Sequence, residues 1–154
     1  MNIYDKEEIG NIAIIKNIIF SDNEKMELDH AWSHGRPCLI LFEDNEYYYF
    51  LTITSTERFS PKYVKQYFKI EENDYKYRYK SRYTNKFLNK KNSSNSILKG
   101  WVNLENIYKI PIYGLDALGK IKFDFYKNVV QRLKEYHKNE NLNELIEKAI
   151  NVKR

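Results

Sequence analysis

Apolar residues are spaced in two different ways along this chain. From residue 10 to residue 112 they come in short runs or alternate with polar residues, the period of strands; from residue 122 onward they recur every third or fourth position, the period of helices. "GNIAIIKNIIF" (10–20) starts on a glycine, is rich in isoleucine and reads as a strand. "RPCLILF" and "EYYYFLTI" read as two strands joined by Glu43-Asp44-Asn45, a hairpin signal. "KGWVNLENIYKIPI" (99–112) reads as one or two more. Between them, "KMELDHAWSHG" is a connecting segment with room for one helical turn. "SPKYVKQYF" suggests a short helix, with Ser60 as N-cap and Pro61 at the first helical position, and "NKKNSSNS" (89–96) is a loop.

The change of period marks the C-terminal part. Tyr126, Val129, Val130, Leu133 and Tyr136 fall on one face of a helix that has Asp124 near its start. Leu142, Leu145, Ile146, Ala149 and Ile150 predict a second helix, opened by Asn141 with Glu144 three residues on as a capping box. Four or five strands followed by two helices, with no internal repeat, predict an α+β fold: an antiparallel, barrel-like sheet with helices packed on it. At 154 residues the chain is sized for a single domain, 1–154. Residues 10–112 would form the mainly β barrel, 62–99 a Lys/Tyr-rich insertion within it, and 122–152 the C-terminal helices.

Composition adds a compartment and a partner. One cysteine, Cys38, leaves no disulfide within the chain and suits a reducing interior. The apolar runs are strand-sized and the start, "MNIYDKEEIGN", is acidic, so a cytoplasmic protein with no membrane partner is expected. The net charge of +5 is uneven: residues 1–59 carry five basic against eleven acidic residues, whereas residues 60–100 carry eleven against three. Within that basic middle, "YKYRYKSRY" alternates aromatic rings with cations. Single-stranded RNA suits such a face, because its bases stack on rings while its phosphates are neutralised. Lys62, Lys65, Tyr75, Lys76, Arg78, Tyr79, Lys80, Arg82 and Lys86 are the candidate RNA contacts. The same alternation also describes a solvated strand with its tyrosines turned inward.

Candidate chemistry centres on "HAWSHGRPCLILF" (30–42). His30, His34 and Cys38 have the four-residue spacing of metal ligands on a helix, but Gly35 and Pro37 are incompatible with that helix, and no metal or other cofactor is expected. Cys38 inside an apolar strand is a small hydrophobe rather than a nucleophile. Arg36 opens one strand of the hairpin and Thr54-Ser55 close the other, so a hairpin turning at Glu43–Asn45 makes them neighbours. Each has a plainer role open to it: Arg36 as an ion-pair partner of Asp29 or Glu57, Thr54-Ser55 as a strand end, His30 and Trp32 as fasteners of the loop. His137, on the polar side of its helix, is expected to be solvated.

The ordered set of a glycine-led "GNI" strand, "GRPCLILF", "TITS" and "VNLENIYKIPIYGLDALGKIKFDFYKNVVQRLKEY" resembles the MazF/PemK (Kid) toxin family across residues 10–137, apart from the basic middle. Shared features are an Arg-Pro entering the second strand, Thr-Ser ending the third, and an "LG-K-I" turn before a long helix. The lengthened middle and the extra C-terminal helix resemble the type III toxin-antitoxin branch, the ToxN- and AbiQ-like endoribonuclease toxins. "LDHAWSHGRPCLI" with "YYFLTITS" resembles the CptN members of that branch in particular.

The resemblance implies an SH3-like barrel and a metal-independent endoribonuclease that leaves a 2′,3′-cyclic phosphate. It also implies inhibition by a repetitive antitoxin RNA, in an RNA–protein hetero-oligomer with more than one toxin copy. Arg36 matches the family's arginine, suited to phosphoryl oxygens, and Thr54 and Ser55 match its hydroxyl pair. His34, or His30, would serve proton transfer, and Arg58 or Lys62 would supply a second cation. Where type III members can carry a lysine two residues past the serine, this chain has Glu57. The alternatives are a MazF/PemK-type mRNA interferase with a protein antitoxin, and an RNA-binding barrel that does not cut.

Overall fold

The computed structural model describes residues 10–15, 19–20, 36–54, 65–78, 100–112 and 116–153. They form an α+β structure in which an antiparallel sheet curls strongly into a half-barrel and carries two helices. The sheet is built on the expected hairpin. β3 (Arg36–Glu43) and β4 (Tyr47–Thr54) pair antiparallel, and β1 (Asn11–Ile15) lies on the other side of β3.

The curl has a visible cause in β4, which changes partner along its length. Its first half pairs with β8 (Tyr108–Pro111), and its last residues, Ile53 and Thr54, pair with β7 (Gly100–Asn103). Register shifts in β3–β4 after Ile40 and in β1 after Ile12 add to the bend. β5 (Tyr67–Ile70) extends the sheet beyond β7.

Several strands differ from expectation. The 10–20 segment holds two, β1 and β2 (Ile19–Phe20). β6 (Tyr75–Arg78) and β9 (Asp116–Ile121) pair with each other, and β9 also pairs with β1. The "LG-K-I" segment is therefore strand and not a turn; Ile121 is fully buried, and its N–H donates to the Gly10 carbonyl. Gly10 has φ 81°, a conformation open to glycine that starts β1 cleanly, and its N–H reaches the Ile40 carbonyl at 2.8 Å. The putting of Tyr67 and Phe68 in a helix is corrected, since both lie in β5; residues 60–64 and the loop 89–96 are outside the described residues.

Both C-terminal helices are present. α1 (Phe123–Tyr136) buries Phe125, Tyr126, Val129 and Leu133, the stripe that its period predicts, joined by Phe125. Full burial of such side chains contributes about 1.5–3 kcal/mol each. Tyr126 carries its hydroxyl into the core, where it donates to the Leu41 carbonyl at 2.6 Å, and Phe125 packs on Phe68 of β5 with ring centroids 5.3 Å apart.

α2 (Leu142–Glu147) starts at Asn141, whose side chain accepts from the Glu144 N–H. It stops sooner than its apolar spacing suggests. Ile150 and Val152 leave the helix for β10 (Ile150–Lys153), which pairs parallel with β8 and antiparallel with β2. Val152 is 2% exposed there, so the end of the chain gains more from an open strand edge than from another helical turn. His137 is half-buried, contrary to expectation, because its Nε2–H donates to the Leu104 carbonyl at 2.8 Å and fastens the end of α1 to the sheet. Among the described residues, no helix is long and apolar enough to cross a membrane.

Candidate functional site

The hairpin register decides whether Arg36 and Thr54 meet. The ladder pairs Ile40–Phe50, Leu39–Leu51 and Cys38–Thr52, and Arg36 and Thr54 lie two residues beyond its last pair on their two strands. These are the residues that open β3 and close β4. Facing positions in an antiparallel pair share one face of the sheet, about 5 Å apart. The neighbouring ladders lengthen the row in both directions: Ile15 of β1 pairs with Arg36, Thr54 pairs with Trp101 of β7, and Trp101 pairs with Lys69 of β5.

The alternation of burial shows which face this is. On one side of β4, β7 and β5 lie Ile53, Val102, Ile70 and the backbone of Gly100, all buried. On the other lie Thr54, Trp101, Asn103 and Tyr67, half-buried, and Lys69, exposed. The stretch Thr54–Trp101–Lys69 of the row therefore runs across the outer face. Lys69 holds its ammonium 5.4 Å from the centroid of the Trp101 ring and 3.1 Å from Glu71. Side-chain exposures of 47% and 55% make that ion pair a weak tie. In the next row, Asn103 Oδ1 accepts from Gln66 Nε2 and from the Glu105 N–H, which steadies the start of β5.

Gly100 explains how the row is brought close. A Cβ there would sit 2.8 Å from the Thr54 carbonyl oxygen and 2.9 Å from Ile53 Cγ2. Only a glycine lets β7 approach the end of β4 this tightly.

Of the candidate catalytic residues, Thr54 is described at the end of β4 and the backbone of Arg36 at the start of β3, while Ser55, His34 and Arg58 lie outside the described residues. Among the RNA candidates, Lys62, Tyr79, Lys80, Arg82 and Lys86 also lie outside them, and Arg78 is described in its backbone alone. Lys76 is exposed on β6. Tyr75 is 7% exposed and belongs to the core, so its ring has no face for a base; at this residue the inward-turned tyrosine prevails. Lys65 lines a shallow groove of about 240 Å³ with Arg132, Glu135 and Tyr136, on the α1 side of β5. Burial raises the pKa of the Tyr136 hydroxyl, aided by the charge of Glu105. Cys38 is fully buried, as its apolar strand implies. Among the described residues, no three His, Cys, Asp or Glu side chains are grouped to hold a metal; His30 and His34 are not among them.

Trp101 is the residue that the sequence motifs missed. Its signal was available: in "GWVNL" the alternation turns Trp101 and Asn103 away from Val102 and Leu104, and the fully buried pair shows which side is the core. No protein-family model matches the chain, and no curated protein matches it.

Proposed function

We propose that this chain is a metal-independent endoribonuclease toxin, held inactive by a bound, repetitive antitoxin RNA. The observation that carries this reading is the β3–β4 ladder, whose register, extended two residues beyond Cys38–Thr52, sets Arg36 across from Thr54. A guanidinium and a hydroxyl at facing positions suit one phosphodiester: the planar fork donates to the two non-bridging oxygens, and the hydroxyl donates to one of them or orients the attacking 2′-hydroxyl. The ribose 2′-oxygen forms a bond to phosphorus and gives its proton to a base, the role assigned to His34 or His30. The bond from phosphorus to the 5′-oxygen breaks, and that oxygen takes up a proton. The products are a 2′,3′-cyclic phosphate and a 5′-hydroxyl. Ser55 is the second hydroxyl of the pair, and Arg58 or Lys62 the second cation for the dianionic intermediate.

The basic segment between residues 60 and 100 supports RNA as the inhibitor, because phosphate contacts need cations outside the cutting groove. The test of the reaction is end-labelling of RNA cut by the purified chain in excess chelator. A cyclic phosphate with a 5′-hydroxyl partner is expected. A 5′-phosphate, or activity lost in chelator and restored by magnesium, overturns the mechanism, and tight RNA binding without any cut favours the non-catalytic barrel. The test of the inhibitor is co-purification from the native operon followed by nuclease digestion. Release of activity is expected; a complex that stays inhibited through a small protein favours the MazF/PemK-type alternative.

A further inference from the structure

We infer that Trp101 and Lys69 form a nucleobase subsite next to Arg36 and Thr54, at which a base flanking the scissile phosphate stacks on the indole while Lys69 takes the adjoining phosphate. The inference rests on the proposed RNA-cleaving reading of that row. Three observations converge on it. Trp101 lies on the outer face of β7, not among the buried residues that the same strand supplies to the core. Its ladder partner on one side is Thr54 and on the other Lys69, so the ring stands between a hydroxyl and a cation, one strand spacing from each, about 4.8 Å. Lys69 already hovers over the ring at 5.4 Å, held on its other side by an exposed pair with Glu71.

That arrangement is a site in its unloaded form. A solvated ammonium over this half-buried ring gains less than a base stacked on the same ring, so an incoming base displaces it. The exposed Glu71 pair is weak enough to give way, and a phosphate is a better partner for the freed lysine. The subsite contributes affinity and position without sequence readout, because every base has a π-face. A cluster of this kind on the rim of a folded sheet also explains why a tryptophan and a cation occupy an open face near the strand end instead of two of the small polar residues found at strand ends.

The test is equilibrium binding of a short single-stranded RNA made uncleavable by 2′-O-methylation, read by fluorescence anisotropy. A set of oligonucleotides is used in which each base in turn is removed to leave an abasic sugar. With the native chain, one position should stand out, its loss weakening binding about tenfold. Trp101→Ala should weaken binding of the intact oligonucleotide by the same factor and should add nothing when that base is already missing. Trp101→Phe should keep most of the affinity. Lys69→Gln should lower the slope of log affinity against log salt by about 0.7, one single-strand phosphate contact. If no position in the native chain's abasic series matters, or if Trp101→Ala weakens intact and abasic oligonucleotides alike, the subsite is wrong, and the abasic series decides this even where a variant fails to fold. Coupled losses in a chain that does not cut RNA keep the subsite and sink the nuclease reading. Cleavage with uncoupled losses does the reverse, and absence of any RNA binding overturns both.

Discussion

The two ends of the β3–β4 hairpin are made of similar residue types and differ in how those residues are used. At the turn, Asp44 Oδ1 accepts from the N–H groups of Glu46 and Tyr47, its Oδ2 accepts from the Tyr49 hydroxyl, and its own N–H donates to the Tyr47 carbonyl. Lys109 sits over the Tyr47 ring at 4.7 Å. Acid, ring and cation there close on one another and on the backbone, which is what a turn needs to fix register. At the open end, a hydroxyl, an indole and a lysine lie in one row on an outer face, the lysine over the indole and in an exposed ion pair with Glu71. The closed end accounts for itself through stability. The open end uses a close glycine contact to bring an outward tryptophan beside Thr54, and that difference is why the proposed site is assigned there.

The contrast breaks most directly at Arg36. Arg36→Ala should slow RNA cleavage by about 10²–10³-fold, the usual loss when a donor to a developing charge is removed, and should abolish the growth arrest that expression of the native chain is expected to cause. Thermal unfolding should scarcely move, because arginine is among the residue types that seldom fill a core. Gly100→Ala tests the geometry of the same end. Its Cβ would collide with backbone at 2.8 Å, so β7 must move from the end of β4, at a cost of about 1–3 kcal/mol in urea unfolding together with a loss of cleavage.

At the turn the effects should separate the other way. Asp44→Ala leaves two backbone N–H groups and a tyrosine hydroxyl to find other partners, and should cost about 1–2 kcal/mol with cleavage per folded molecule unchanged. Loss of cleavage at unchanged stability would erase the distinction between the ends.

The smallest effect is in pH. Burial pushes the Asp44 carboxyl up, but the hydrogen bonds from Tyr49 and the two backbone N–H groups outweigh it and leave its pKa below the ordinary 3.8. Its contribution is therefore complete above that value and is lost as pH falls through the lower folded pKa. Burial first, and then the bond to Asp44, pushes the Tyr49 hydroxyl up to about 12 from 10.0, so its contribution holds below pH 10 and fades as pH rises towards 12. In urea unfolding across the pH scale, Asp44→Asn should shrink both limbs.

What could be read from the sequence follows from how local each signal is. The hairpin and α1 were legible because a turn, expected at Glu43–Asn45 and found one residue on at Asp44–Glu46, and a stripe such as Tyr126, Val129 and Leu133 are set by neighbours within a few residues. β9 and β10 were not, because both are strands only by virtue of distant partners: Gly119 reads as a turn until it pairs with Ile12, and Ile150 continues a helical period until β8 offers an edge. That Arg36 opens β3 and Thr54 closes β4, at the same end of the hairpin, was legible for the same reason. Trp101 and Lys69 were invisible as parts of the site, since β7 and β5 reach Thr54 only through long-range pairing.

The central claim is that Arg36 and Thr54 act on one phosphate, and single-turnover cleavage of a short RNA by Arg36→Ala, Thr54→Ala and the double variant tests it most directly. Each single substitution should slow cleavage by at least about tenfold, and the double variant should be no more than a few-fold slower than Arg36→Ala alone, because groups that serve the same charge lose their worth together. Full-speed cleavage by a folded Arg36→Ala chain, or two losses that simply multiply, would contradict it.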